Sequence, residues 1–74
     1  MNITDLNRKD EAVIISLKNI EKKFMERLMD LGIYEEARIT LLNKLAFENL
    51  YLLEVDDIEI CLRKEDALHI EVRK

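Results

Sequence analysis

Few side chains in this sequence carry chemistry, and their spacing limits what they can do. His69 is the only histidine and Cys61 the only cysteine. A structural zinc site takes four Cys or His ligands, so these two cannot complete one. Glu71 lies two residues beyond His69, on the same face of a strand, which makes His69 and Glu71 the candidate metal ligands. A site built on them needs further carboxylates or a second molecule, and His69 otherwise reads as a solvent-facing side chain. Cys61 sits between Ile60 and Leu62 and reads as a small, partly covered side chain. A nucleophilic thiol needs a base held beside it, and no spacing supplies one. The chain therefore reads as non-enzymatic, with no catalytic residues and no certain cofactor.

Binding is better served. Wound as a helix, Ile20 to Leu31 gathers Ile20, Phe24, Leu28 and Leu31 in one apolar stripe, with Lys22, Lys23, Glu26 and Asp30 opposite. Arg27 projects about 20° from the centre of that stripe. Either its stem covers the edge of the core or its guanidinium meets a partner carboxylate. Met25 and Met29 lie roughly 100° to 140° around from the stripe and form a second apolar ridge. They complete the core beneath the N-terminal segment, or they are a docking ridge, because flexible thioethers suit adaptable contacts. Met25, Arg27, Met29 and the neighbouring Tyr34 are the candidate partner-binding residues. Leu50 and Leu52, on the outer face of a hairpin, add apolar surface.

Composition bounds the rest. At 74 residues this is one domain, near the lower limit for a core without staples. Hydrophobic residues make up 49% of the chain, too many for disorder. Twelve Lys and Arg stand against 16 Asp and Glu, for a net charge of −4. An acidic domain with no basic cluster is a poor binder of phosphate backbones, so nucleic acid is excluded as a partner. One cysteine permits no internal disulfide and fits a reducing compartment. No apolar run approaches the roughly 20 residues that span a bilayer. Met1 opens directly into polar sequence without a signal-peptide pattern. The sequence reads as soluble and cytoplasmic, with no direct membrane insertion.

The elements that must position these residues follow from periodicity. Met1 to Asp10 is a polar lead-in, with one turn at Thr4–Leu6. Glu11 to Leu17 is a first strand rich in β-branched residues. Lys18 and Asn19 lead into the helix, with Asn19 as its N-cap. Gly32, the only glycine, stands where a helix needs a left-handed residue to stop, and a Schellman-type end would set Ile33 against Leu28. Ala37 to Lys44 is a second strand, and Leu45 to Glu48 a loop. Leu50–Val55 and Ile58–Arg63 form a hairpin turning at Asp56-Asp57. That register puts Val55, Ile58, Leu53, Ile60, Tyr51 and Leu62 on one buried face and sets Glu54 opposite Glu59 in solvent. Lys64 to Ala67 suits a single helical turn. Leu68 to Val72 is a last strand with Leu68, Ile70 and Val72 inward. The fold class is mostly β: about five strands, with one helix between the first two, in a small, partly closed barrel.

Two separated motifs carry a resemblance. Arg27-Leu28 followed by Leu31-Gly32-Ile33 is one; Ile60-Cys61-Leu62-Arg63 followed by Asp66-Ala67 and Ile70-Glu71-Val72 is the other. Together they resemble the FeoA family of ferrous iron transport proteins, whose members are small SH3-like barrels. The family's Pro-Gly pairs fall here on Arg8-Lys9 and Glu35-Glu36. Turns that need φ > 0 at glycine must therefore change type or carry strain. The resemblance implies a cytoplasmic accessory that docks to FeoB, a membrane ferrous iron transporter with a GTPase domain, and Fe²⁺ as the metal concerned. The same module occurs as the C-terminal domain of metal-dependent repressors of the DtxR type. No helix-turn-helix precedes it here, so this chain alone is not expected to be such a repressor. Two alternatives stand beside docking. One is a metal-responsive regulatory domain using His69 and carboxylates. The other is a generic SH3-like interaction module, with only Phe24, Tyr34, Phe47 and Tyr51 to line a groove. A homo-oligomer is compatible with all three.

Overall fold

Apolar residues recur with a period of two in five stretches of this chain, and each stretch has become a strand. The computed structural model describes residues 1–17 and 19–74, so the part of the helix approach assigned to Lys18 lies outside the described residues. In chain order come a 3₁₀ turn (Ile3–Asp5), β1 (Glu11–Ser16), α1 (Lys22–Asp30), β2 (Arg38–Leu45), β3 (Leu50–Val55), β4 (Ile58–Arg63), α2 (Lys64–Ala67) and β5 (Glu71–Arg73). The strands form one antiparallel sheet in the order β4-β3-β2-β1-β5. The architecture is mostly β with the helix between the first two strands, as expected. The sheet stops short of closure, leaving β4 and β5 as its edges.

The hairpin has the expected register. Val55 pairs with Ile58, Leu53 with Ile60, Tyr51 with Leu62, Leu52 with Cys61 and Glu54 with Glu59. Asp56 and Asp57 have φ of 50° and 67°, the two positive values of a type I′ turn, which matches the twist of the strands it joins. One of the six inward residues departs from expectation. Ile58 is exposed, because it occupies the rung beside the turn, past the end of the core.

The N-terminal segment is no loose lead-in. Asn2 caps the 3₁₀ turn by accepting from the Thr4 N–H at 2.9 Å, and the Asp5 carboxylate accepts from the Asn2 N–H. The capped turn drives Ile3 and Leu6 into the core, where both are fully buried. It is tied to the far end of the chain: Ile3 N–H donates to Ile70 O at 3.3 Å, and Val72 N–H to Met1 O at 2.8 Å. Leu68 corrects the sequence reading in the other direction. It is exposed as the C-cap of α2, and the strand begins only at Glu71.

α1 ends as its sequence dictates and begins otherwise. Gly32 has φ +96°. Ile33 N–H donates to Leu28 O at 2.8 Å and Gly32 N–H to Met29 O at 3.0 Å, the paired bonds of a Schellman end. Leu28 and Ile33 are both buried. The N-cap is Glu21, with no side-chain capping bond, rather than Asn19. The buried face is also turned from the expected stripe. Ile20, Phe24 and Met25 pack partly buried against the core around Leu28, while Leu31 is exposed. The chain reverses at Gly32 and Ile33 takes the core position, so Leu31 is left at the rim.

Two turns keep a conformation that normally belongs to glycine. Lys9 has φ 74° and Glu36 φ 75°. Asp10 N–H donates to Asn7 O, and Ala37 N–H to Tyr34 O, each at 3.0 Å, so both turns retain a left-handed third residue. They are held in place by strands. Lys9 N–H donates to Leu41 O at 2.7 Å, and Glu36 N–H to Ile14 O at 2.6 Å. Of the two outcomes expected for the missing glycines, strain is the one realised. Ala46, Phe47 and Glu48 are also left-handed, with φ of 51°, 57° and 67°, and Phe47 stands fully in solvent at the tip.

Candidate apolar docking groove

Three of the four candidate partner-binding residues meet in one place. Met25 and Met29 stand one turn apart on α1. The Schellman end then brings the chain back so that Tyr34 lies beside them. Leu17 closes the groove from the end of β1, and Glu35 stands at its rim. Its volume is about 300 Å³. Leu17 is buried, Met25 half-buried against the core, and Met29 and Tyr34 about half exposed at 52% and 46%. The two readings of the methionine ridge are thus divided between its members: Met25 helps to complete the core, and Met29 faces outward. Arg27 is exposed and does not line the groove. No ion pair holds it among the described residues.

Leu17 and Glu35 were not legible as groove residues. Leu17 reads as one more strand residue, but β1 ends at Ser16, and the alternation ends with it, so Ser16 and Leu17 are both buried. Glu35 is placed by the strained turn at Glu36.

A larger hollow of about 450 Å³ lies between the start of α1 and α2, and it is polar, with Glu21, Arg63, Glu65, Asp66 and His69 among its lining. His69 and Glu71, both exposed, also share a small hollow of about 190 Å³. The structure therefore brings the two candidate metal ligands together and adds no third. Among the described residues no group of three or more His, Cys, Asp or Glu side chains could hold a metal ion. The described residues do not by themselves fit a resident metal site. Cys61 is a free, exposed cysteine rather than the partly covered side chain expected.

The shifted acidities lie outside the groove. The Asn7 backbone N–H, donating to Asp10 at 2.7 Å, and then the Lys74 ammonium at 3.0 Å, hold the Asp10 carboxyl below the usual carboxylate range. Burial pushes the Tyr51 phenol up. The groove itself holds no acid–base pair, so what it offers is apolar contact with an acidic rim.

Residues 1–74 match the model of the FeoA domain. This chain belongs to the FeoA family. It is 25% identical to the FeoA protein of Chlorobium tepidum, with a TM-score of 0.91 over 97% of this chain and 68% of that one. A FeoA-like protein from Clostridium acetobutylicum matches at 23% identity with a TM-score of 0.83, over 99% of this chain and 84% of that one, and shows the fold alone. The structure of ScaR with bound Zn²⁺ matches at 26% identity and a TM-score of 0.85, over 100% of this chain and 36% of ScaR. Among curated proteins none matches. The mostly β, SH3-like fold expected from the sequence is thus the fold of the FeoA structures. No helix among the described residues is long and apolar enough to cross a membrane.

Proposed function

We propose that this chain is a non-catalytic, cytoplasmic accessory of ferrous iron uptake that docks to a FeoB-like transporter. Membership of the FeoA family supports a role in ferrous iron transport. The observation that carries docking is the groove of Leu17, Met25, Met29 and Tyr34. It leaves a thioether and an aromatic ring half in water, a cost that an apolar side chain of a partner would relieve. The test is capture of the transporter's soluble cytoplasmic region by this chain. Met29→Gln and Tyr34→Gln should each weaken capture while the circular dichroism and melting of the domain stay close to wild type. Undiminished capture by both variants would remove the groove from the interface.

A second reading is a metal-responsive regulatory domain, favoured by the likeness to ScaR. It would use His69 and Glu71, with the remaining ligands from elsewhere. A Fe²⁺ titration that is the same for wild type and His69→Ala would take His69 out of that role.

A further inference from the structure

β4 is an edge strand, and its free edge has a definite pattern. The two-residue turn makes Val55–Ile58 a hydrogen-bonded pair, and alternation gives Leu53–Ile60 and Tyr51–Leu62 the same status. The Lys64 N–H to Asn49 O bond, 2.8 Å, continues the series. The peptide groups of Glu59 and Cys61 and the N–H of Arg63 therefore point away from β3, while the Arg63 C=O belongs to the N-cap of α2. None of them takes part in the backbone hydrogen bonds outside the ladders among the described residues. Their side chains are exposed on the outer face, while Ile60 and Leu62 face the core. Arg63 is loosely held: its Nε lies 3.6 Å from Asp66, with the side chain 68% exposed.

Such an edge accepts another strand, and the charges decide which one fits. Lay a second copy of β4 antiparallel to the first, with the two-fold axis through Cys61. Cys61 then exchanges both N–H···O=C bonds with Cys61 of the second copy, and each Arg63 N–H meets a Glu59 C=O. Glu59 faces Arg63 of the second copy, and Arg63 faces its Glu59, so both charge pairs are attractive. Ile60 faces Leu62 on the core side, and the two apolar rows join. Moving the axis by two residues sets Glu59 against Glu59 or Arg63 against Arg63. Only the register centred on Cys61 pairs opposite charges while keeping the outward peptide groups face to face.

We propose that this chain self-associates as a two-fold dimer through β4, pairing antiparallel about Cys61 and extending the sheet across both copies. The interface is isologous, so each substitution acts twice. Sedimentation of the full chain from micromolar to millimolar concentration should show a reversible monomer–dimer equilibrium. Glu59→Arg or Arg63→Glu alone turns both attractive pairs repulsive and should raise the dissociation constant roughly tenfold or more. The double variant Glu59→Arg/Arg63→Glu rebuilds both pairs and should return the constant to within about threefold of wild type. Cys61→Pro removes the N–H at the axis on an edge that tolerates proline, and should leave a folded monomer by circular dichroism. A short bismaleimide should couple two copies through Cys61, the only cysteine, and fail to do so in either single charge variant. A chain monomeric at every concentration, or a dimer that the single and double charge variants affect alike, would overturn the proposal. Should Cys61→Pro fail to fold, the charge exchange decides alone.

Discussion

Replacing Lys9 and Glu36 by glycine should stabilise this protein. Both residues hold φ near 75°, where a Cβ crowds the following carbonyl at about 1–2 kcal/mol per residue. Neither side chain forms an ion pair among the described residues, and both are exposed. Substitution therefore forfeits little contact. Glycine also widens the unfolded ensemble, which returns about 0.4–1 kcal/mol of the gain. The net is about 0.5–1 kcal/mol for each site. The two turns grip opposite ends of the β1–β2 pair, through Leu41 O and Ile14 O, and do not touch, so their effects should add. For a domain of this size the double variant should melt roughly 4–16 °C higher. The assay is calorimetric or circular-dichroism melting of wild type, Lys9→Gly, Glu36→Gly, the double variant and Glu36→Ala. Alanine keeps the Cβ and should give no gain. A double glycine variant that melts at or below wild type, or an alanine variant that gains as much as glycine, would refute the strain argument.

Other perturbations follow from the same structure. Leu28→Ala empties the centre of the α1–core contact and should cost about 2–5 kcal/mol, read as a lower urea midpoint, a large share of the stability of so small a domain. The pKa of Asp10 is lowered, so its contribution is present above the ordinary carboxylate value and lost as pH falls through its folded value. Asp10→Asn should flatten the acid limb of a stability–pH curve without changing its neutral plateau by as much as Leu28→Ala does. Tyr51 is raised, so its contribution is present below pH 10.0 and lost as pH rises through the higher folded value. Tyr51→Phe should fold normally and lose that alkaline step, as followed by melting at high pH.

The parts legible in the sequence are those set by near neighbours. Alternation in Leu50–Arg63 and a two-residue turn leave one register with both apolar rows on one side, and that register is the one observed. Gly32 after Leu31 places the helix end because the left-handed region is cheap there. The illegible parts depend on distant partners. Ile3 and Leu6 look incidental in a polar stretch, and their burial requires Met1–Ile3 to bond with Ile70 and Val72 at the other end of the chain. The turn of α1 toward Met25 and the exposure of Leu31 follow from where Ile33 is anchored. Helical periodicity alone cannot show that. Of the candidate site, Met25, Met29 and Tyr34 come together, Arg27 stands apart, and Leu17 enters because β1 ends one residue before it. His69 and Glu71 share a hollow but find no third ligand among the described residues.

The most direct test of the docking claim is a calorimetric titration. This chain would be titrated against the soluble cytoplasmic region of the FeoB-like transporter from the same cell, with and without Fe²⁺. Docking through the apolar groove predicts saturable binding of the same affinity in both conditions, with a negative heat-capacity change from buried apolar surface. Binding that requires Fe²⁺, or no heat in either condition, would contradict it.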